Sequence, residues 1–82
     1  MWNKDDIIKR LKDDKRRITE QRKTVIDVMS KNDYTNVKEL YYEVSKVDSA
    51  IGLATVYRTI LALEKIGVLE RRHGYIKREM YS

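Results

Sequence analysis

One short stretch of the chain combines side chains that could read the edges of DNA bases. Ala54 and Thr55 are short, whereas Tyr57 and Arg58 are long and end in polar groups. In the first turns of a helix, the short side chains would let the backbone approach phosphates, and Thr55 could hold one. Arg58 could form two hydrogen bonds to guanine, and Tyr57 could pack against a thymine methyl group. The alternatives are that Tyr57 is a half-buried core residue and Arg58 an ordinary surface charge.

Residues for other kinds of chemistry are scarce. The chain has no cysteine and one histidine, His73, so thiol nucleophiles and thiolate metal sites lack their groups. There is no glycine-rich phosphate loop and no evident pair of catalytic carboxylates. A chain of 82 residues builds one core and has little left for a deep pocket. We therefore expect no enzyme, and no metal or cofactor in this chain, with His73 a solvated turn residue.

The net charge of +5 favours an anionic partner, of which nucleic acid is the commonest. Residues 1–33 contribute +3, residues 34–66 contribute 0 and residues 67–82 contribute +2. The surplus comes from two clusters: Lys15, Arg16, Arg17, Arg22 and Lys23, and then Arg71, Arg72, Lys77 and Arg78. Each cluster taken alone could equally be a solvated face. No apolar run approaches the ~20 residues of a membrane span, and we expect a soluble, cytoplasmic protein without membrane contact.

Hydrophobic periodicity predicts four helices, at about residues 4–13, 19–30, 36–47 and 53–66. Thr19 and Asn36 are suitable N-caps, and Asn36 with Glu39 has the form of a capping box. The apolar stripe of the third helix is expected to include Val37, Leu40, Tyr41, Val44 and Val47. In the fourth helix we expect Val56, Ile60, Leu63 and Ile66 to be buried and Ala54, Thr55, Arg58, Thr59 and Ala62 to face outward.

The chain after the fourth helix favours extended structure. Gly67 suits the left-handed position that ends a helix, and residues 68–81 read as a hairpin with His73 and Gly74 in its turn. Helix, helix, helix-turn-helix and then a basic hairpin is the order of a winged helix. We therefore predict a mainly α-helical fold with a small β-hairpin, forming a single winged-helix DNA-binding domain over residues 1–82.

The fourth helix also resembles the recognition-helix signature of the ferric uptake regulator family of metal-responsive transcription repressors. The resembling stretch is Ile51-Gly52-Leu53-Ala54-Thr55-Val56-Tyr57-Arg58-Thr59. Three further segments resemble the family in the same order: Arg17-Ile18-Thr19-Glu20-Gln21-Arg22, Glu39-Leu40-Tyr41 and Leu63-Glu64-Lys65-Ile66-Gly67-Val68-Leu69. Together these segments span about residues 15–81, which is nearly the whole chain.

The resemblance implies a partner and a set of contacts. The partner is double-stranded DNA, read as A·T-rich inverted repeats by a transcriptional repressor, with Tyr57 and Arg58 at the base-reading positions. Arg17 would reach toward the minor groove, whose narrow A·T-rich tracts attract cations. The hairpin would be a wing lying along phosphates and adding salt-sensitive affinity. The residues assigned to the DNA backbone or minor groove are Arg17, Thr19, Arg22, Ala54, Thr55, Arg71, Arg72, Lys77 and Arg78.

The sequence also departs from the family pattern. The family continues into a C-terminal domain that dimerises and binds zinc and a sensed divalent metal such as iron, and that domain is expected to be absent here. Tyr34 stands where the family usually has a ligand histidine, and the position of a ligand glutamate falls near Ser82. The chain is either an excised domain or a complete protein that kept only the DNA reader. A homodimer would form mainly through the absent domain.

A second class of function stays open. Winged helices also serve as protein-interaction or dimerisation modules without sequence-specific DNA binding. The small residues on the outer face of the fourth helix could receive a partner helix. The operator sequence and the metal sensed by a longer parent are not determined by these residues.

Overall fold

Local side-chain caps begin three of the four helices. The computed structural model describes residues 2–71 and 74–78. Helix α1 spans Lys4–Asp13, α2 spans Glu20–Lys31, α3 spans Val37–Val47 and α4 spans Leu53–Lys65. Asn3, Thr19 and Asn36 each accept hydrogen bonds from backbone N–H groups of the first turn, whereas Gly52 caps α4 without a side chain. Each helix begins and ends within one residue of its predicted bounds.

The predicted capping box at α3 is formed in a shifted arrangement. Asn36 Oδ1 accepts from the Glu39 backbone N–H at 3.0 Å, as expected. The Glu39 carboxylate, however, accepts from the N–H of Thr35 at 3.0 Å, one residue before the cap. The carboxylate thus restrains the chain leading into α3 as well as its first turn.

Two helices end in left-handed residues that reverse the chain. After α4, Gly67 has a φ of 81°, and Val68 N–H bonds the carbonyl of Leu63 at 3.2 Å. After α1, the same role falls to Lys15 with a φ of 59°, and Arg16 N–H bonds the carbonyl of Leu11 at 2.8 Å. The left-handed helix end at Gly67 was predicted. The turn at Lys15 was not, because the sequence has no glycine there to mark it.

The wing is a short antiparallel hairpin tied to the loop before α3. Strand β1 is Leu69–Arg71 and strand β2 is Tyr75–Lys77, with Leu69 opposite Lys77 and Arg71 opposite Tyr75. The backbone N–H of Tyr75 also donates to the carbonyl of Tyr34 at 3.0 Å. The predicted turn residue His73 and the end of the predicted hairpin, 79–81, lie outside the described residues.

Helix α4 is the centre of the packing, and it contacts α1, α2, α3 and β1. The fully buried side chains come from every helix and from the start of the wing: Ile7, Leu11, Val25, Ile26, Met29, Leu40, Val44, Ile51, Val56, Ile60, Leu63 and Val68. Trp2 closes one side, because its indole Nε1 donates to the carbonyl of Val68 at 2.8 Å. The fold is a winged helix.

Three predictions about helix faces are wrong. Thr59 and Ala62 are buried rather than outward, because α4 contacts α1, α2, α3 and β1 and its buried face is wider than the predicted stripe. Thr59 is buried without an unmet polar group, since its hydroxyl donates to the carbonyl of Thr55 at 2.8 Å. Val47 is 66% exposed, because it is the last residue of α3 and lies beyond the contacts of the apolar stripe.

Candidate nucleic-acid interface

The start of α2 and the first turns of α4 enclose a surface depression of about 210 Å³. We call it the arginine concavity, and its lining residues are Arg17, Thr19, Gln21, Arg22, Thr55 and Arg58. Most of these residues were predicted to contact DNA from positions about 40 residues apart in the sequence. The fold brings them together. Three guanidinium groups beside the N-terminus of α2, where backbone N–H groups carry partial positive charge, suit an anion.

Local structure sets the position of each residue in the concavity. Thr19 caps α2 by accepting from the N–H of Arg22 at 3.1 Å. The Arg22 Nη1 then donates back to the carbonyl of Arg17 at 3.0 Å, which holds the extended segment before the helix. Thr55 and Arg58 come from the first two turns of α4, one turn apart, so their side chains project on the same side.

The guanidinium groups of the concavity are not neutralised within the described part of the chain. Across residues 2–71 and 74–78, no carboxylate lies within salt-bridge distance of Arg17, Arg22 or Arg58. Arg17 and Arg58 are exposed. Unpaired cations on one face make a positive potential that an anionic polymer can reach.

Beside the arginine concavity, the exposed side of α4 forms an apolar depression of about 360 Å³. Its lining residues are Val37, Leu53, Ala54, Tyr57 and Arg58. Tyr57 is 41% exposed and Leu53 is 47% exposed, so neither side chain belongs to the core. Arg58 lies on the boundary of the two depressions. This arrangement places an apolar surface, which suits the methyl group of thymine, next to a guanidinium, which suits the hydrogen-bond acceptors of guanine.

The cations of the wing differ, because each of the described ones has a partner within the chain. Arg71 Nη2 bonds Glu64 Oε1 at 2.8 Å, and Arg78 Nη1 bonds Glu70 Oε2 at 2.7 Å. Lys77 is little available to an external partner, since its side chain is only 17% exposed. Arg72 lies outside the described residues.

Lys77 turns inward to join three segments. Its ammonium donates to the carbonyl of Asn32 at 2.6 Å and lies 3.6 Å from the Asp33 carboxylate. It also sits 5.4 Å from the centre of the Trp2 ring, within cation–π range. These contacts connect β2 to the loop after α2 and to the segment before α1.

No side-chain set suited to a metal is found among the described residues, which contain no group of three or more histidine, cysteine, aspartate or glutamate side chains. Tyr34 is nearly buried, and its hydroxyl donates to the carbonyl of Val28 at 3.4 Å. A tyrosine used in this way supports the core instead of offering a ligand. The described helices include none long and apolar enough to cross a membrane.

Sequence reasoning missed several residues of the interface. Gln21 lines the arginine concavity, and Val37 and Leu53 line the apolar depression. Glu64, which holds Arg71, was also missed. It lies seven residues, or two helical turns, after Tyr57, and this spacing on one face of α4 was the available signal.

The chain is similar to known metal-uptake regulators. The ferric uptake regulator family model matches residues 13–82. Ferric uptake regulation proteins are 39% identical over 56 residues in Rhizobium leguminosarum bv. viciae and 33% identical over 69 residues in a strain of Staphylococcus epidermidis. These matches cover 67% and 83% of this chain, but only 39% and 50% of the relatives, so the chain spans about half their length or less.

Solved structures agree with the family match. A manganese uptake regulator superposes with a TM-score of 0.75 at 29% identity, over 92% of this chain and 60% of that one. A zinc-bound manganese uptake regulator gives a TM-score of 0.76 at 29% identity, over 93% and 63% of the two chains. These relatives are regulators, which confirms that the chain is not from an enzyme family. Its matched region covers most of its length, and the chain belongs to the ferric uptake regulator family.

Proposed function

We propose that this chain is the DNA-reading part of a metal-responsive transcription regulator, a repressor that binds A·T-rich inverted repeats. The observation that carries the proposal is the arginine concavity, where Arg17, Arg22 and Arg58 converge without carboxylate partners in the described chain. Family membership supports the same reading. Unpaired cations beside an exposed helix face are what a duplex requires, since phosphates dominate affinity and base edges supply specificity.

In this proposal, α4 enters the major groove, which is wide enough to admit a helix. Tyr57 and Arg58 face base edges from its exposed side. Thr19, Arg22 and Thr55 face the phosphates that flank the groove, where the N-terminus of α2 adds its partial positive charge. Arg17, on the extended segment before α2, reaches the neighbouring minor groove. The wing cations Arg71, Arg72 and Arg78 are assigned to phosphate contacts, and Lys77 acts mainly within the fold.

If this chain is part of a longer protein, we assign regulation by metal and assembly into dimers to the rest of that protein. Zinc and a sensed divalent metal such as iron would bind there. A homodimer would place two copies of α4 about one helical turn of DNA apart, roughly 34–36 Å. Inverted repeats follow from that symmetry.

Selection of bound duplexes from a random pool tests the proposal. The expected result is an A·T-rich consensus, with affinity that falls steeply as salt rises from about 50 to 200 mM. The selected duplex is then compared with a second duplex of the same composition in shuffled order. Failure to enrich any sequence would contradict base reading by α4.

A protein-interaction module is the second candidate, and the exposed apolar residues of α4 favour it. Leu53 and Leu61 are 47% and 45% exposed. Docking of a partner helix on this face would bury apolar surface and depend weakly on ionic strength. The salt titration separates the two, because counterion release makes DNA binding decline with salt whereas apolar docking does not.

A further inference from the structure

The guanidinium of Arg71 lies between two aromatic rings and a carboxylate. Its central carbon is 5.9 Å from the ring centre of Tyr57 on α4 and 5.6 Å from that of Tyr75 on β2. Glu64, in the last turns of α4, bonds its Nη2 at 2.8 Å. One wing residue therefore contacts the helix face on which Tyr57 is displayed.

The partners restrain Arg71 from several directions. Glu64 belongs to a regular helix and its side chain is 26% exposed, so it offers a well-positioned acceptor. Tyr75 lies directly opposite Arg71 in the hairpin register, so its ring is set by the strand pairing. A planar guanidinium can bond a carboxylate with its edge while its faces meet aromatic rings. The geometry of this cluster makes Arg71 part of a rigid support.

Tyr57 needs such a support. It is 41% exposed and lies outside the buried core, so core packing does not hold its ring. Ordering an exposed ring before binding lowers the entropy cost of recognition and improves discrimination between bases.

We propose that Arg71, held by Glu64, is a positioning residue for Tyr57. The wing then contributes to base selectivity by orienting Tyr57, as well as to affinity by contacting phosphates. The inference rests on the proposed function, because Tyr57 must read bases for its orientation to matter. It changes the role expected of Arg71, which sequence reasoning assigned to phosphate contact. The raised pKa of Arg71 agrees with this arrangement, since its largest cause is the hydrogen bond to Glu64.

Glu64→Gln tests the inference because the two models predict different changes in the ratio of affinities for the selected and shuffled duplexes. If Arg71 only contacts phosphate, removing the carboxylate frees a cation and deletes a negative charge, so binding to every duplex should strengthen. If Arg71 positions Tyr57, the ratio of affinities for the selected and shuffled duplexes should fall about three- to tenfold, as expected from losing one cation–π contact and one ion pair. The measurement is binding of both duplexes to the 82-residue chain by fluorescence anisotropy.

Glu70→Gln is the matched control. It makes the same charge change in the wing and loosens a comparable ion pair, the one to Arg78, away from Tyr57. Its affinity ratio should stay at the value of the unsubstituted chain. A fall in the ratio equal to that of Glu64→Gln would overturn the positioning role, because it would show a general effect of wing charge.

Arg71→Lys separates positioning from charge. Lysine keeps the positive charge but lacks the planar group that bonds Glu64 while stacking on two rings. We expect an unchanged salt slope with a reduced affinity ratio, together with a changed NMR shift of the Tyr57 ring protons in the free chain. An unchanged ratio and an unchanged ring shift would overturn the proposal.

The outcomes also distinguish this inference from the function on which it rests. Equal binding of both duplexes by the unsubstituted chain would overturn the proposed function, and the positioning role with it. Discrimination by the unsubstituted chain that Glu64→Gln retains would overturn the positioning role alone. Thermal unfolding of each variant identifies any change that comes from lost folding.

Discussion

The arginine concavity and the wing are both basic in the sequence, but their cations have different partners in the folded chain. In the concavity, Arg17 and Arg58 are exposed and have no carboxylate partner among the described residues. In the wing, Arg71 and Arg78 are paired with glutamates, and Lys77 is turned toward a backbone carbonyl. Equal numbers of cations therefore do not mean equal attraction for an anionic partner. The attraction for an anionic partner depends on the charge that neighbouring side chains have not already neutralised.

The cations of the two regions are therefore expected to have different roles. Arg17 and Arg58 of the concavity can respond to an external phosphate without first breaking an internal contact. The paired wing cations must give up part of an existing interaction to do so, and we expect their contribution to binding to be correspondingly smaller. They connect the hairpin to α4, to the loop after α2 and to Trp2, so they contribute to the shape of the interface.

The largest expected effect is at Arg58. Arg58→Ala should weaken binding to the selected duplex by about 1–3 kcal/mol and relax its base preference, because a guanidinium aimed at base edges is lost. Titration of the selected and shuffled duplexes measures both quantities. Lys65→Ala, at the other end of the same helix, is the control for charge. Equal losses on the two duplexes would remove Arg58 from the base-reading group.

Lys77 should affect folding more than binding. Lys77→Ala removes a charged hydrogen bond to the Asn32 carbonyl and a cation–π contact with Trp2, and should lower the free energy of unfolding by roughly 1–2 kcal/mol. Urea unfolding measures this loss, with Lys9→Ala on the exposed side of α1 as control. The salt slope of DNA binding should stay nearly constant. A shallower slope with unchanged stability would place Lys77 among the phosphate contacts and weaken the contrast between the regions.

Arg17 should affect binding more than folding. Its guanidinium has no partner among the described residues, so Arg17→Ala should leave unfolding nearly unchanged while making the salt slope shallower by about one. The loss should be greater on duplexes with an A·T tract beside the site, because their narrow minor groove concentrates negative potential. Affinities measured with and without such a tract test this. A loss independent of the tract would assign Arg17 to phosphate alone.

The smallest effect is expected at Arg78. Its ion pair with Glu70 is largely solvent-exposed, so Arg78→Gln should change the free energy of unfolding by no more than about 0.5 kcal/mol. The salt slope should decrease by less than that for Arg17→Ala, since Glu70 already offsets part of the charge. Titrations of the two variants in parallel make the comparison. A larger decrease at Arg78 would reverse the order of the two regions.

Much of the fold was predictable because its signals are local. Thr19 and Asn36 mark helix starts through hydrogen bonds that span three residues, and Gly67 marks a helix end through its positive φ. The exposure of Arg58 followed from helical periodicity. The errors at Thr59 and Ala62 arose where a central helix packs on several neighbours, since periodicity identifies one buried face but not its width.

The interface was only partly predictable, for a different reason. The residue types that contact an anion could be chosen from the sequence, and Arg17, Thr19, Arg22, Thr55 and Arg58 do meet in one depression. Their DNA contacts remain predictions. The pairing of Lys77 with Asn32 could not be anticipated, because the two residues meet only after segments 45 residues apart in the chain have come together.

The sequence by itself determined the helices, the caps at Thr19 and Asn36 and the total of +5. Each depends on residue type or on contacts within a few residues. Only the tertiary structure decided which cations remain available, because the Lys77 ammonium and its carbonyl acceptor are 45 residues apart in the chain. The charge that a partner meets is therefore a property of the packing, whereas the charge of the chain is a property of its composition.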